Sequence, residues 1–265
     1  MAKPPTAQLP LFYNDIMPLS SVDHADWRAR GIDTASYLVN QNAVPITSDE
    51  FISAARFFPI VFSSGDNPVP LALMGLNEGV NTVIDDEGKL RAPVYVPAYI
   101  RRYPFLLARL RQGSEDMSLC FDPTSNVIGK FKDGKPLFDD GKPSNALQGV
   151  IQFCDQFEQA GVRTQAFMAE LKAHDLLMEG EVSIQQAGVE QPFIYRGFQM
   201  VQEEKLRDLR GDVLRKMSQS GMLPLLYAHL FSLEMMREIF AQQVALGKMP
   251  QVTEAPAAPP APVNA

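Results

Sequence analysis

The chain has 265 residues, is 46% hydrophobic and carries a net charge of −7 with a pI near 5.1. That apolar content supports a substantial core and excludes a wholly disordered chain, while the acidic balance argues against nucleic acid as a partner. No apolar run approaches the roughly 20 residues of a membrane span. The first ten residues lack a secretory signal's apolar stretch, and two sparse cysteines, Cys120 and Cys154, suit a reducing compartment, so a cytoplasmic location is expected.

In chain order, residues 1–20 are proline-rich, with Leu9-Pro-Leu-Phe-Tyr13 as an apolar anchor, and read as an arm lying on the body. Thr47-Ser-Asp-Glu50 spells a capping box, followed by a short helix that Pro59 ends. Pro59-Ile-Val-Phe62 and Leu71-Ala-Leu-Met-Gly75 read as buried strands, and Thr82-Val-Ile-Asp85 as another strand with its turn. Pro97 suits a helix start, and Pro104 is expected to kink or split that helix. Met117–Phe121 reads as a strand, and Phe131–Pro143, rich in Gly, Pro, Asp and Lys, as a long exposed loop.

Ser144 then caps an amphipathic helix with Leu147, Val150, Ile151, Cys154 and Phe157 at helical spacing, and Gly161 is expected to interrupt it. A hairpin follows, from Glu181 through a turn at Gly188 to Val201. Helix is expected from Glu203 to about Leu246, broken near Gly211 and at Gly221. The fold class is therefore α+β: mixed short strands in the N-terminal half, a β-hairpin, and a helical C-terminal half. Residues 21–246 read as one domain, and 247–265 as a disordered Ala/Pro-rich tail.

The densest chemistry lies in Tyr95-Val-Pro-Ala-Tyr-Ile-Arg-Arg-Tyr-Pro-Phe105. Two guanidinium groups among tyrosines need partners wherever they lie. In one reading Tyr95, Tyr99, Arg101, Arg102 and Tyr103 line a pocket for an anionic group. In the other, a buried arginine bonds internal acceptors while the rings pack around it. His24 and Asp26 form the first half of a two-histidine, one-carboxylate Fe(II) site that His229 would have to complete. Against this, His24 reads as bonded to backbone and His229 as a satisfied residue on an apolar helix. Cys120 and Cys154 read as small core residues. There is no Gly-rich phosphate loop, no Gly-x-Ser-x-Gly elbow and no pair of Cys-x-x-Cys motifs.

Several blocks together resemble the SapC family of bacterial proteins. They include Pro10-Leu-Phe-Tyr13, Ala43-Val-Pro45, Phe58-Pro-Ile-Val-Phe62, the arginine block at 95–105, Leu119-Cys-Phe-Asp122 and Tyr227-Ala-His-Leu-Phe-Ser-Leu233. They are collinear from about residue 10 to about residue 240. At Asn81-Thr-Val-Ile84 the chain departs, conservatively, from the Asn-Leu-Phe-Val such proteins usually carry. The resemblance implies no catalytic residue and no cofactor. It implies a link to surface-layer, envelope or uptake systems. The expectation is an accessory or binding protein for an anionic small molecule or peptide, with no cofactor. An Fe(II)-dependent oxygenase or a structural surface-layer component are the alternatives. The Leu-, Met- and Phe-rich segment Met222–Ala245 reads either as core or as the face of a homodimer.

Overall fold

The structure is a computed structural model, and it describes residues 9–110, 116–186 and 188–249. The expected Ala/Pro-rich tail lies, apart from residues 247–249, outside the described residues. In chain order the elements begin with β1 (Met17–Pro18), β2 (Arg28–Ala29), β3 (Ala43–Pro45), α1 (Phe51–Ala54), β4 (Ile60–Ser63) and β5 (Pro70–Leu73). Next come α2 (Ala98–Arg102), β6 (Phe105–Ala108), β7 (Ser118–Phe121), β8 (Ile128–Gly129), β9 (Lys135–Pro136), β10 (Phe138–Asp139) and β11 (Lys142–Pro143). The long α3 (Asn145–Ala173) leads to β12 (Leu177–Glu179), β13 (Val182–Ile184), β14 (Phe193–Tyr195) and β15 (Phe198–Val201). The chain then continues through α4 (Glu203–Arg207), α5 (Gly211–Gln219), α6 (Met222–Ser232) and α7 (Met235–Ala245). This is the α+β architecture expected, with helices gathered toward the C-terminus.

The central sheet has the order β12-β15-β4-β5-β3, antiparallel throughout. Side chains alternate across a strand, and here both faces are covered. Ile60 and Phe62 pack with Phe51, Phe167, Leu171 and Leu226 on one side. Val61 joins Ile184, Phe198, Met236 and Phe240 on the other. Burial on both faces explains why β4 is a continuous apolar run rather than an alternating one. A second, smaller body is built from the β1-β7-β6 and β8-β2-β9 sheets around Phe105, Phe121, Ile128 and Leu137.

α3 joins the two. Its first turns place Leu147 and Cys154 in the smaller cluster, and its last turns place Phe167 and Leu171 in the larger one. Ser144 caps it as expected, its Oγ accepting from the Leu147 amide at 3.2 Å.

Several local expectations are corrected. Gly161 does not interrupt α3, because an unstrained glycine in a helix costs only about 1 kcal/mol against alanine, and packing at both ends outweighs that. Pro104 ends α2 instead of kinking it: a residue before proline disfavours the helical region, Tyr103 is extended (φ −59°, ψ 136°), and Phe105–Ala108 continues as a strand. Thr82–Asp85 forms only an isolated bridge, Ile84 to Leu90. Residues 131–143 are not simply an exposed loop. They hold β9, β10 and β11, and Leu137 is buried. The hairpin closes between β13 and β14, while β15 leaves it to pair with β12 and β4. The segment Met222–Ala245 splits into α6 and α7, which bury Leu226, His229, Met236 and Phe240, while Phe231 stays 72% exposed.

Candidate functional site

α2 is only five residues long, and it is set in place by a carboxylate from another element. Thr47 and Glu50 form the capping box at the start of the turn before α1, with Glu50 Oε2 accepting from the Thr47 amide and hydroxyl, both at 2.9 Å. The other oxygen of the same carboxylate accepts from the Ala98 amide at 2.6 Å and from the Tyr95 hydroxyl at 2.9 Å. One buried acid thus caps two helices, and its charge lies at the positive end of each. The capping box was legible in sequence. The second half of its role was not, because Ala98 is brought there only by the fold.

Adjacent helical residues point about 100° apart, and Arg101 and Arg102 diverge accordingly. Arg102 points inward. It is 8% exposed, with its guanidinium carbon 4.4 Å from the Tyr99 ring centre and 4.3 Å from that of Phe157. Its Nη1 lies 3.6 Å from Glu158 Oε1, and its buried Nε has no hydrogen-bond partner. Arg101 points outward and is exposed. Its guanidinium lies 5.1 Å from the Phe153 ring and 5.9 Å from the Tyr95 ring, and it reaches the Tyr95 hydroxyl at only 3.5 Å. Among the described residues no carboxylate pairs with it.

The tyrosine hydroxyls are committed internally. Tyr95 donates to Glu50, and Tyr99 donates to the Leu11 carbonyl at 3.3 Å. Tyr103 is held against Asp122; burial first, then the Asp122 charge and hydrogen bond, push its phenol up to about 12. Tyr95 is likewise raised to about 12, by burial and then by Glu50. These phenols stay protonated, serving as donors and ring walls and not as bases. Asp122, fully buried, also accepts from the Asn14 amide and from both the amide and the hydroxyl of Thr124. The five residues named from sequence therefore divide. Tyr99, Arg102 and Tyr103 belong to the packed interior, whereas Tyr95 and Arg101 form an outer surface that Phe153 of α3 completes. Phe153 carried no sequence signal, since it sits beside the apolar stripe of its helix and not on it.

The arm residues close the inner side of the same cluster. Tyr13 donates to the Phe105 carbonyl at 2.7 Å, and Phe12 packs against Tyr37, Tyr99 and Tyr103.

The three residues of the iron alternative are not brought together. His24 is buried against Trp27 and Phe121, its Nδ1 accepting from the Ser20 amide at 2.9 Å. Asp26 is exposed and paired with Lys130 at 3.1 Å. His229 of α6 is fully buried against the central sheet: Nε2 accepts from the Val201 amide at 3.0 Å and Nδ1 donates to the Ile60 carbonyl at 2.8 Å. With both nitrogens bonded to backbone, the ring has no lone pair for a metal. Among the described residues no three His, Cys, Asp or Glu side chains form a metal-holding group. Burial raises the thiols of Cys120 and, to about 11, Cys154, so neither is a ready nucleophile.

A cleft of about 690 Å³ lies elsewhere, between residues 65–70, the C-terminal half of α3 and β12. Two of its charged side chains have partners: Lys172 reaches the Asp66 carbonyl, and Asp175 pairs with Lys205. No described helix is long and apolar enough to cross a membrane.

No curated protein and no solved structure matches the chain. The SapC family model matches residues 19–239, a span that runs from the turn holding His24, through the capping box, α2 and α3, into α7. Since it takes in the smaller body, the central sheet and the arginine block together, the chain belongs to the SapC family.

Proposed function

We propose that this SapC protein is a non-catalytic binding or accessory protein that receives an anionic group of a small molecule or peptide at Arg101. The observation that carries the reading is the contrast between neighbours. Arg102 is enclosed by two rings and faces Glu158, whereas Arg101 is exposed, flanked by Tyr95 and Phe153, and lacks a carboxylate partner among the described residues. A guanidinium beside aromatic faces favours a planar anion such as a carboxylate, which it meets with paired, charge-assisted hydrogen bonds. The neutral, doubly bonded His229 and the raised thiols support binding over acid–base or nucleophilic chemistry. An accessory place in surface-layer, envelope or uptake systems, which the family resemblance implies, belongs to the same reading.

Calorimetric titration with benzoate tests it. Arg101→Ala is expected to lose benzoate uptake with a melting temperature close to that of the parent, because an exposed side chain contributes within about 0.5 kcal/mol. Arg102→Ala is expected to destabilise by roughly 2–4 kcal/mol, since it empties the space between Tyr99 and Phe157 and leaves Glu158 without its cation. Uptake by Arg101→Ala equal to that of the parent would remove the reading.

A further inference from the structure

A second cleft lies away from α2, between the end of α1, residues 82–94 and α7, with a volume of about 320 Å³. Its walls are apolar, formed by Phe57, Phe58, Val94, Met235, Ile239 and Leu246. Arg56 and Arg91 also line it, and no acidic residue does. In a chain of net charge −7, a wall with two cations and no anion is a local reversal of sign.

Neither arginine is neutralised within the described residues. Arg56 is exposed, and its one ring contact is with its neighbour Phe57 at 5.9 Å. Arg91 donates through Nε to the Ile84 carbonyl at 3.2 Å, which fixes the side chain while leaving its terminal nitrogens without an internal acceptor. Asp86 is already paired with Lys248 at 2.9 Å, and its carboxyl is held below the ordinary range first by that lysine and only lastly by Arg91. The remaining polar groups are few: the Thr82 hydroxyl is spent on the Met74 carbonyl at 3.0 Å, leaving the exposed Gln242 amide.

We propose that this cleft binds a small amphipathic carboxylate, an alkyl chain of medium length bearing one acid group. The apolar walls take the chain, and the guanidinium groups of Arg56 and Arg91 take the carboxylate. Two features select this class. A sugar or nucleotide would bring hydroxyls and ring nitrogens against walls that offer them no partners, and a neutral chain would leave both cations without a counter-charge. The volume sits at the small end of the roughly 300–1,000 Å³ of small-molecule sites, which suits one short chain and not a folded partner. This site shares no residue with the Arg101 surface, so either reading stands without the other.

The test is calorimetric titration of the full chain with octanoate and, separately, 1-octanol. One-to-one, saturable octanoate uptake is expected, with octanol weaker by roughly tenfold or more, the worth of a charge-assisted hydrogen bond. Arg56→Glu combined with Arg91→Gln is expected to weaken octanoate by a comparable factor without changing octanol. Ala245→Trp, at an exposed position of α7 that lines the cleft, is expected to block both ligands with the circular dichroism spectrum unchanged. Arg101→Ala is expected to leave octanoate uptake intact. The proposal is overturned by absent octanoate saturation in the parent, by equal affinity for octanol, or by full octanoate affinity in either cleft variant.

Discussion

His229 shows how a single residue can be read correctly from sequence and still be misjudged in its role. A lone histidine between Tyr227 and Phe231 on an apolar helix is expected to be internally satisfied, and it is. What the chain does not announce is that the ring stands in for a ladder bond. β15 and β4 pair at Phe198 with Ser63 and at Gln199 with Phe62, and further along the imidazole bridges the Val201 amide and the Ile60 carbonyl. Ser232, one turn on, accepts the Ile60 amide at 2.8 Å. Burial, opposed in part by the Ile60 bond, lowers the His229 pKa from 6.5 to about 4. The folded state therefore holds the neutral form. Above pH 6.5 the full stabilisation is present; between 6.5 and about 4 only the unfolded chain takes the proton, so stability falls as pH falls, by on the order of 3 kcal/mol across the window. The expected outcome is an imidazole resonance that does not titrate between pH 8 and 5. A titration midpoint near 6.5 in the folded protein would mean the ring is not locked. Arg101 and Arg102 make the companion case. Sequence showed that both needed partners, but their separation into one solvent-facing and one enclosed group depended on Phe153, Phe157 and Glu158, some fifty positions away.

At the scale of elements, local signals were reliable where a side chain or ring acts within its own turn. Ser144 starts α3 and Thr47 and Glu50 form their box, because caps involve only near neighbours, while Pro104 acts at the expected place but stops α2 instead of kinking or splitting it. They misled where a distant contact outweighs a weak preference. α3 runs through Gly161, and an added Cβ there would meet nothing within 4 Å. Gly161→Ala is accordingly expected to stabilise the protein by about 0.5–1 kcal/mol, through helix propensity and a less free unfolded chain. A raised urea midpoint would bear this out; a lowered one would show that the helix needs glycine at that turn. The stretch 131–143 erred the other way. Its Gly, Pro and Asp content spells turns, and the short strands between them form because Phe138 and Leu137 find apolar cover beside Trp27 and Leu147.

Across the whole molecule, α3 places side chains in both the larger and the smaller apolar cluster. Trp27, the sole tryptophan, reports on the smaller cluster, while the helical signal comes mainly from α3 and the helices around the central sheet. If α3 couples them, Trp27 fluorescence and far-ultraviolet circular dichroism are expected to trace one coincident urea transition. Two separated midpoints would mean that the smaller body opens by itself. The arm spans elements in the same way, since Tyr13 and Phe12 close over α2 and β6 from the far end of the chain.

The sequence by itself determined the α+β class, the capping residues, the strands β4, β5 and β7 and the family, because apolar runs, capping residues and collinear motif blocks are properties of short stretches or of their order. Only the tertiary structure decided which arginine faces water, which carboxylate serves two helices, and where Arg56 and Arg91 meet an apolar wall. Those outcomes rest on contacts between residues far apart in the chain, and such pairings arise from the closure of the whole core and not from any local preference.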